Sequence, residues 1–255
     1  MSESIRVGVG GWVFPPWRET FYPRSVRRGQ ELSYASRALR VTEVNVTYYA
    51  AQTPETFARW AAETPDDFRF TVKASRVCTN RRVLAGAGEA IDRFMAQGLG
   101  QLGDRLGPIL WQFMPTKKFD PADFAAFLDL LPASLGDRPL RHAVEVRNAS
   151  FADPRFHDLC RARGVAICLT DSADFPLIDQ PTATFAYVRL MRGEDDIATG
   201  YPPNEIQGWA RKLRALSQAA EGTEPREVFA FFINGGKSRA PAAALALTDS
   251  LGALS

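Results

Sequence analysis

Histidine and cysteine are scarce in this chain, which has only two histidines and three cysteines in 255 residues. Zinc sites are built from clustered His, Cys and carboxylate ligands, so this scarcity argues against a His-rich zinc site. Cys78, Cys160 and Cys168 are odd in number and lack metal-binding spacing. They are typical of reduced thiols that fill a core in a cytosolic protein.

Long apolar runs and a large net charge are also lacking. No apolar run is long enough to span a bilayer, and the start MSESIRVGVG lacks the basic and apolar regions of a signal peptide. No linker-like tract interrupts the chain, which predicts a single domain over residues 1–255. The formal net charge of +2 is too small to imply nucleic-acid binding by itself. We therefore expect a cytoplasmic protein with no membrane partner, and leave its oligomeric state open.

What the sequence does contain is an alternation of strand-like and helix-like segments. Eight strand-like runs are predicted at 5–10, 41–46, 68–73, 108–113, 143–148, 165–170, 184–190 and 227–234. Thr53, Asp120 and Asp153 each precede a proline and are expected to cap a helix. The segment after the sixth run holds two prolines and is expected to be irregular. Eight such units fit an α/β fold of the (β/α)8 TIM-barrel type best, and a doubly wound open sheet is the alternative.

The fifth strand-like run, AVEVRN, carries charges at alternate positions of an otherwise apolar strand. Side chains of a barrel strand alternate between the interior and the helix layer. Val144 and Val146 are therefore predicted to face the helices, and Glu145 and Arg147 the interior. Both charges would lie near the carboxyl ends of the strands, where the active sites of this fold are found.

Almost every predicted strand contributes a polar group at or near its carboxyl end. These groups are Glu43, Asn45, Lys73, Gln112, Glu145, Arg147, Asp171, Arg189 and Asn234. Glu43 lies deepest and is the best candidate for a structural role, paired with a basic residue across the barrel. The neighbouring loops add aromatic and basic residues, a combination that suits a nucleotide, a nucleic acid or a phosphorylated sugar. The alternative is that these charged groups only pair with one another in a network around the mouth.

Several motifs together resemble the YecE-like family, domain of unknown function 72. They are GVGGWVFPPW, TEVNVTYYAAQTPETFARW, LGPILWQFMP, AVEVRNASF and YVRLMRG. The resemblance implies a TIM-barrel-type fold but no established reaction, and it adds Trp12 and Tyr49 to the polar positions above. Asn80 and Met191 stand where relatives usually carry histidine, so any chemistry of those histidines would be lost or altered here.

The favoured interpretation is an enzyme, a hydrolase or a lyase, that acts on an anionic, phosphate-bearing substrate at the barrel mouth. The predicted catalytic residues are Glu145, Asp171 and Lys73. The predicted substrate-binding residues are Arg147, Arg189, Asn45, Gln112, Asn234, Trp12 and Tyr49. Glu145 or Asp171 would serve as general acid or base. Lys73 could form a Schiff base only if its pKa were lowered, an effect that nearby carboxylates would oppose.

Three other functions stay open at this point. Glu145 and Asp171 could form the carboxylate pair of a retaining glycosidase, although the neighbouring cations would lower the pKa of a general acid. The same two residues could bind Mg²⁺ or Mn²⁺, although no cofactor is predicted. The runner-up is a barrel that binds nucleic acid at its mouth without catalysis.

Overall fold

Strands and helices alternate through the computed structural model, which describes residues 4–218 and 225–254. The strands are β1 (Ile5–Gly10), β2 (Val41–Val44), β3 (Arg69–Lys73), β4 (Leu106–Gln112), β5 (Ser134–Leu135), β6 (Arg138–Pro139), β7 (His142–Glu145), β8 (Ala166–Ile167), β9 (Leu169–Asp171), β10 (Phe185–Arg192) and β11 (Glu227–Gly235). The α-helices are α1 (Trp17–Thr20), α2 (Glu31–Ala38), α3 (Val46–Tyr49), α4 (Pro54–Glu63), α5 (Arg76–Thr79), α6 (Gly88–Met95), α7 (Pro121–Asp129), α8 (Pro154–Ala162), α9 (Pro203–Ser217) and α10 (Ala240–Ala253). Short 3₁₀ helices lie at Leu84–Ala87, Leu99–Arg105, Ala149–Phe151 and Lys237–Arg239.

Within the described residues, nine parallel strands form one sheet in the order β8-β7-β4-β3-β2-β1-β11-β10-β9. Its two end strands, β8 and β9, are successive pieces of the sixth predicted strand and are separated only by Cys168. β8 pairs with β7, and β9 pairs with β10. Because both ends of the sheet belong to one segment, the sheet is a nearly closed barrel. The predicted TIM-type barrel is confirmed.

Local signals in the sequence account for several helix boundaries. Thr53, Asp120 and Asp153 each accept a hydrogen bond from a backbone N–H in the first turn of α4, α7 and α8. Each is followed by proline, whose missing N–H costs nothing at a helix start. The chain from 172 to 184 contains neither helix nor strand. The predicted caps and the irregular sixth unit are therefore confirmed.

The alternation of side chains sorts the strand residues into an outer and an inner core. Val144 and Val146 belong to the outer core, where they pack with helix residues such as Phe124 and Phe156. The inner core is formed by Val41, Leu110, Ala143, Ala166, Cys168, Phe185, Tyr187, Phe229, Phe231 and Ile233. Glu145 alternates with the two valines and is fully buried in the barrel. The predicted orientation of the fifth strand is confirmed.

An ion-pair cluster fills the amino-terminal end of the barrel. Arg6 Nε donates to Glu227 Oε1 at 2.6 Å, and Arg141 Nη1 donates to Glu227 Oε2 at 2.6 Å. The Arg141 guanidinium lies 5.4 and 5.1 Å from the ring centres of Phe185 and Phe229. These side chains tie β1, β11 and the residue before β7 together at this end of the barrel.

None of the described helices is both long enough and apolar enough to cross a membrane.

Candidate functional site

A pocket of about 280 Å³ opens at the carboxyl-terminal end of the barrel. Its lining residues are Gly10, Trp17, Asn45, Tyr49, Lys73, Gln112, Arg147, Arg189, Phe232, Ile233, Lys237 and Ala240. Six of them were predicted as site residues: Asn45, Tyr49, Lys73, Gln112, Arg147 and Arg189. Gly10 makes room for Asn45, because a Cβ at Gly10 would come within 2.9 Å of Asn45 Nδ2. The structure therefore brings most of the predicted polar groups to one cavity.

Beneath the pocket, the Arg189 guanidinium is buried between two carboxylates. Arg189 Nη2 donates to Glu43 Oε1 at 3.0 Å, and its Nη1 donates to Glu145 Oε2. Tyr187 Oη donates to Glu43 Oε2 at 2.7 Å and shares a 2.9 Å hydrogen bond with Thr71 Oγ1. Buried ions are costly unless they are paired and hydrogen-bonded. This network satisfies the charges of the second, fifth and seventh predicted strands and confirms that Glu43 pairs across the barrel.

Glu145 is held as a carboxylate by donors on several sides. Its Oε1 accepts from Arg147 Nε at 2.8 Å, and its Oε2 accepts from Gln112 Nε2 at 2.7 Å as well as from Arg189. Burial raises the pKa of the Glu145 carboxyl, but the charges of Arg189 and Arg147 and the Gln112 hydrogen bond outweigh it and lower the pKa overall. This arrangement suits a fixed counter-ion better than a general acid or base.

Lys73 differs from the two arginines, because no carboxylate of the described residues lies within ion-pairing distance of its amine. Its Nζ lies 4.0 Å from the centre of the Tyr48 ring. Burial lowers the pKa of the amine to about 8; the Arg189 charge acts in the same direction, and Glu43 and Glu145 oppose it. The amine of Lys73 therefore loses its proton more readily near neutral pH than the amine of an exposed lysine does.

The pocket carries an excess of positive charge. Lys73, Arg147 and Arg189 provide three cations against the carboxylates of Glu43 and Glu145, which leaves a net charge of +1. Lys237, whose ammonium lies 4.4 Å from the centre of the Phe14 ring, adds another positive charge at the rim. The charge of the described groups around this cavity is therefore positive on balance, and a confined cavity strengthens such a field.

Asp171 does not join this pocket. Its Oδ1 accepts from Arg192 Nε at 2.6 Å, and its Oδ2 accepts from Tyr201 Oη at 3.3 Å. Cys168, three residues earlier, belongs to the inner core, whereas Leu169 belongs to the outer core. By the same alternation, Asp171 lies on the helix side of the barrel wall. The predicted convergence of Asp171 with Glu145 was therefore wrong.

Trp12 was expected to cover the ligand, but its ring packs against α4 and β3 and does not line the pocket. Its ring lies 5.0 Å from Trp60 and 6.1 Å from Phe70, edge to face in both cases. Trp17 takes its place in the pocket, and Trp17 Nε1 donates to Lys237 O at 2.7 Å. Sequence reasoning did not assign Trp17 or Lys237 to the site, because a long loop has no periodicity that shows which residues face inward.

Three further residues complete the outcome for the predicted site. Asn234 lies on β11, but its side chain falls outside the described part of the structure. Asn80 Nδ2 donates to Tyr48 Oη at 3.4 Å, which places Asn80 behind the ring that contacts Lys73. His142, at the start of β7, accepts from Trp111 Nε1 at 3.1 Å, far from the mouth in the strand direction. Among the described residues, no group of three or more His, Cys, Asp or Glu could hold a metal ion.

Comparisons with known proteins give relatives but no activity. The family described as "Protein of unknown function DUF72" matches residues 6–255. UPF0759 protein YunF of Bacillus subtilis (strain 168) is 28% identical over 261 residues, which cover 90% of this chain and 88% of YunF. UPF0759 protein YecE of Escherichia coli (strain K12) is 30% identical over 151 residues, which cover 58% of this chain and only 50% of the length of YecE.

Solved structures show the same fold. A DUF72 family protein from Thermotoga maritima has a TM-score of 0.75 at 23% identity, with 98% of both chains covered. A DUF72 family protein from Enterococcus faecalis has a TM-score of 0.75 at 20% identity, with 97% of both chains covered. A family GH18 chitinase from Chromobacterium violaceum is more distant, with a TM-score of 0.56 and 12% identity over 98% of this chain and 83% of the chitinase. At these identities, the likeness concerns the fold alone.

Proposed function

The chain belongs to the DUF72 family of proteins of unknown function, and we propose that it is an enzyme acting on a small anionic, phosphate-bearing substrate in the pocket at the barrel mouth. One observation carries the proposal: the pocket has an excess of cations, and one of them, Lys73, has no carboxylate partner within ion-pairing distance in the described residues. A purely structural ion-pair network would leave no such group facing the cavity.

Arg147 and Lys237 supply the anion contacts in this proposal. Only the Nε of Arg147 is used by Glu145, so both Nη groups can donate to a phosphate in the two-pronged geometry that arginine favours. The guanidinium carbon of Arg147 lies 4.3 Å from the centre of the Phe175 ring, within cation–π distance. Lys237 approaches from the rim. Arg189 acts at longer range, since its Nη groups are committed to two carboxylates.

The remaining lining residues orient the substrate, and Lys73 is the reactive group. Asn45 and Gln112 present amide groups to the cavity, and Tyr49, which is 68% exposed, covers its edge. Glu145 sets the positions of Arg147 and Gln112 through its hydrogen bonds. Its role is to position the binding groups. Acid–base catalysis by a carboxylate is therefore not part of the proposal.

Calorimetric titration with inorganic phosphate, glycerol 3-phosphate and ribose 5-phosphate tests the anion site. We expect binding to the wild-type protein and a loss of about tenfold or more in Arg147→Met, because a charge-assisted hydrogen bond contributes about 1.5–3 kcal/mol. Arg155→Met is the matched control, since Arg155 lies at the start of α8 and pairs with Asp153. Equal affinities of the two variants, or no binding of any of the three ligands to the wild type, would refute the proposal.

A turnover screen with the same phosphate esters and a panel of sugar phosphates tests the enzymatic part. Lys73→Arg keeps the positive charge but raises the pKa of the side chain, so it should bind the anion and lose turnover. If the Lys73→Arg variant converted a substrate found in this screen at the wild-type rate, Lys73 would take no part in the reaction.

Non-catalytic binding of nucleic acid is the second candidate, and one feature favours it. A groove of about 800 Å³ lies beside the mouth, between the loops that follow β3 and β4. Its charged lining residues are Arg81, Arg82, Lys117, Lys118, Asp120 and Asp123. Asn80 lines the same groove and donates to Tyr48 Oη, and the Tyr48 ring contacts Lys73 of the pocket. The two aspartates offset part of the charge, and Lys117 is paired with Asp123 at 2.6 Å, which is why this candidate ranks second.

Salt dependence separates the two functions. Binding of a single strand through several phosphates should weaken steeply with salt, with a slope of log K against log[salt] of about −0.7 per phosphate contact. We expect a 20-nucleotide single strand to bind weakly, and Arg82→Met to leave binding of glycerol 3-phosphate unchanged. A steep slope for the oligonucleotide, lost in Arg82→Met, would favour the second candidate.

A further inference from the structure

Lys73 is set apart from the other four lysines of the chain. Lys117 and Lys212 are ion-paired with Asp123 and Asp179. Lys118 and Lys237 are exposed. Lys73 alone is buried, with 6% of its surface exposed, and lines the pocket from the end of a barrel strand.

The surroundings of the Lys73 amine favour a nucleophile over a structural cation. Glu43 and Glu145 are the two carboxylates whose charges act on the Lys73 amine. Both form direct hydrogen bonds with Arg189, and Glu145 also bonds Arg147. Their charges oppose the lowering of the Lys73 pKa but do not cancel it, and the pKa stays at about 8. The Tyr48 ring supports the amine from one side at 4.0 Å, and the pocket lies on another.

We infer that the substrate is a small aldehyde or ketone that carries a phosphate or carboxylate group, and that Lys73 forms an imine with its carbonyl carbon. The inference rests on the proposed function, because Arg147 and Lys237 must hold the anionic group while the carbonyl lies over Lys73. The low pKa of about 8 supplies the neutral amine that the step requires.

The step balances without an added oxidant or reductant. The nitrogen lone pair of neutral Lys73 attacks the carbonyl carbon, and the carbonyl oxygen leaves as water with the two amine protons. A C=N bond replaces the C=O bond. Once protonated, the imine withdraws electrons from the adjacent C–H or C–C bond. The reaction class that follows is proton transfer or carbon–carbon cleavage next to the carbonyl, which agrees with the lyase alternative from the sequence.

Pyridoxal 5′-phosphate is a suitable probe because it is an anionic aldehyde whose imine can be reduced with borohydride. We expect substoichiometric labelling at pH 7 to give one adduct, mapped to Lys73 by peptide mass spectrometry. Inorganic phosphate should compete with it, and pyridoxal without the phosphate should react at least tenfold more slowly. Lys73→Arg should abolish this adduct, whereas Lys118→Arg, the matched control on the surface, should retain it.

Reductive trapping with dihydroxyacetone phosphate and with pyruvate extends the test to probes that resemble substrates. An adduct of the expected mass at Lys73 with either of them supports the inference. Labelling spread evenly over the five lysines, or found first at Lys117 or Lys118, would overturn it.

Two different results would overturn the imine at Lys73 and the anion site. Phosphate binding by calorimetry without any adduct at Lys73 would overturn the imine and leave the anion site intact. An adduct at Lys73 that phosphate does not compete, in a protein that binds no phosphate, would overturn the anionic substrate. Circular dichroism of Lys73→Arg confirms that the loss of labelling does not come from unfolding.

Discussion

Arg189 Nη2 donates a hydrogen bond to Glu43 Oε1 at 3.0 Å across the barrel, which joins β10 to β2 through the interior. Neither strand is a neighbour of the other in the sheet. The same guanidinium bonds Glu145 on β7, so one side chain links three parts of the barrel wall below the pocket.

Arg189→Met should therefore be strongly destabilising. It leaves two fully buried carboxylates without their main partner, a change that costs about 3–5 kcal/mol in comparable cases. Urea unfolding at pH 7 measures the effect. Arg161→Met is the control, because Arg161 and Asp158 form an exposed pair on α8 that contributes well under about 1 kcal/mol. Similar losses in the two variants would show that the buried network does not hold the barrel together.

Glu145→Gln should lower stability in a pH-dependent way. The pKa of Glu145 is lowered in the folded protein, so its ionised form stabilises the fold above the unfolded-state pKa of about 4.3, and this contribution is lost as pH falls through the folded-state pKa. The variant should be less stable than the wild type by about 1–3 kcal/mol at pH 7. The difference should stay constant down to about pH 5 and narrow below it.

Paired urea titrations between pH 7 and pH 3.5 check this prediction. Glu89→Gln is the control, since Glu89 is an exposed partner of Arg93. A difference for Glu145→Gln that already closes above pH 5 would mean that Glu145 is not a fixed carboxylate.

Lys73→Met should stabilise the fold while it removes function. The pKa of Lys73 is about 8 in the folded protein, below the ordinary 10.5, so the charged amine costs stability at every pH below about 8. That cost is relieved as pH rises from 8 to 10.5. We expect a gain of about 1–3 kcal/mol at pH 7 that shrinks by pH 10.

Unfolding titrations at the two pH values measure the gain, and calorimetry with glycerol 3-phosphate measures binding in parallel. Greater stability together with weaker binding is the signature of a group kept for function. A Lys73→Met variant that is less stable at pH 7 would mark Lys73 as a structural cation.

Asp171→Asn should affect stability but not the pocket. The carboxylate of Asp171 accepts from Arg192 and Tyr201 on the helix side of the wall, so we expect a loss of about 1–2 kcal/mol in unfolding free energy. Phosphate binding and labelling of Lys73 by pyridoxal 5′-phosphate should remain at wild-type levels. A selective loss of binding at unchanged stability would return Asp171 to the site.

The strand pattern of this chain was readable from sequence where polar and apolar residues alternate. In AVEVRN the charges mark one face, so the orientation of Glu145 and Arg147 could be predicted correctly. In VAICLT both faces are apolar, because Ala166 and Cys168 face inward and Ile167 and Leu169 outward. The face of Asp171 could not be deduced from such a run, and the prediction failed there.

The site was predictable as a set of groups but not as a network. Sequence position places Lys73, Glu145 and Arg189 at or near the carboxyl ends of predicted strands of one barrel, and their convergence follows from the fold. It does not show that Arg189 would occupy both carboxylates and leave Lys73 without one. Charge pairing depends on side-chain geometry at the ångström scale. The sequence pattern shows only whether a residue faces the barrel interior or the helix layer.

The ion-pair cluster of Arg6, Arg141 and Glu227 occupies the amino-terminal end of the barrel, whereas the pocket above Lys73 opens at the carboxyl-terminal end. Under the proposed function, a ligand that enters above Lys73 would leave through the same opening, past Tyr49 and Lys237. For a reaction with two products, the fragment nearer the rim would have to depart before the one held deeper. A molecule bound at that opening would therefore prevent the deeper product from leaving and would also keep new substrate out.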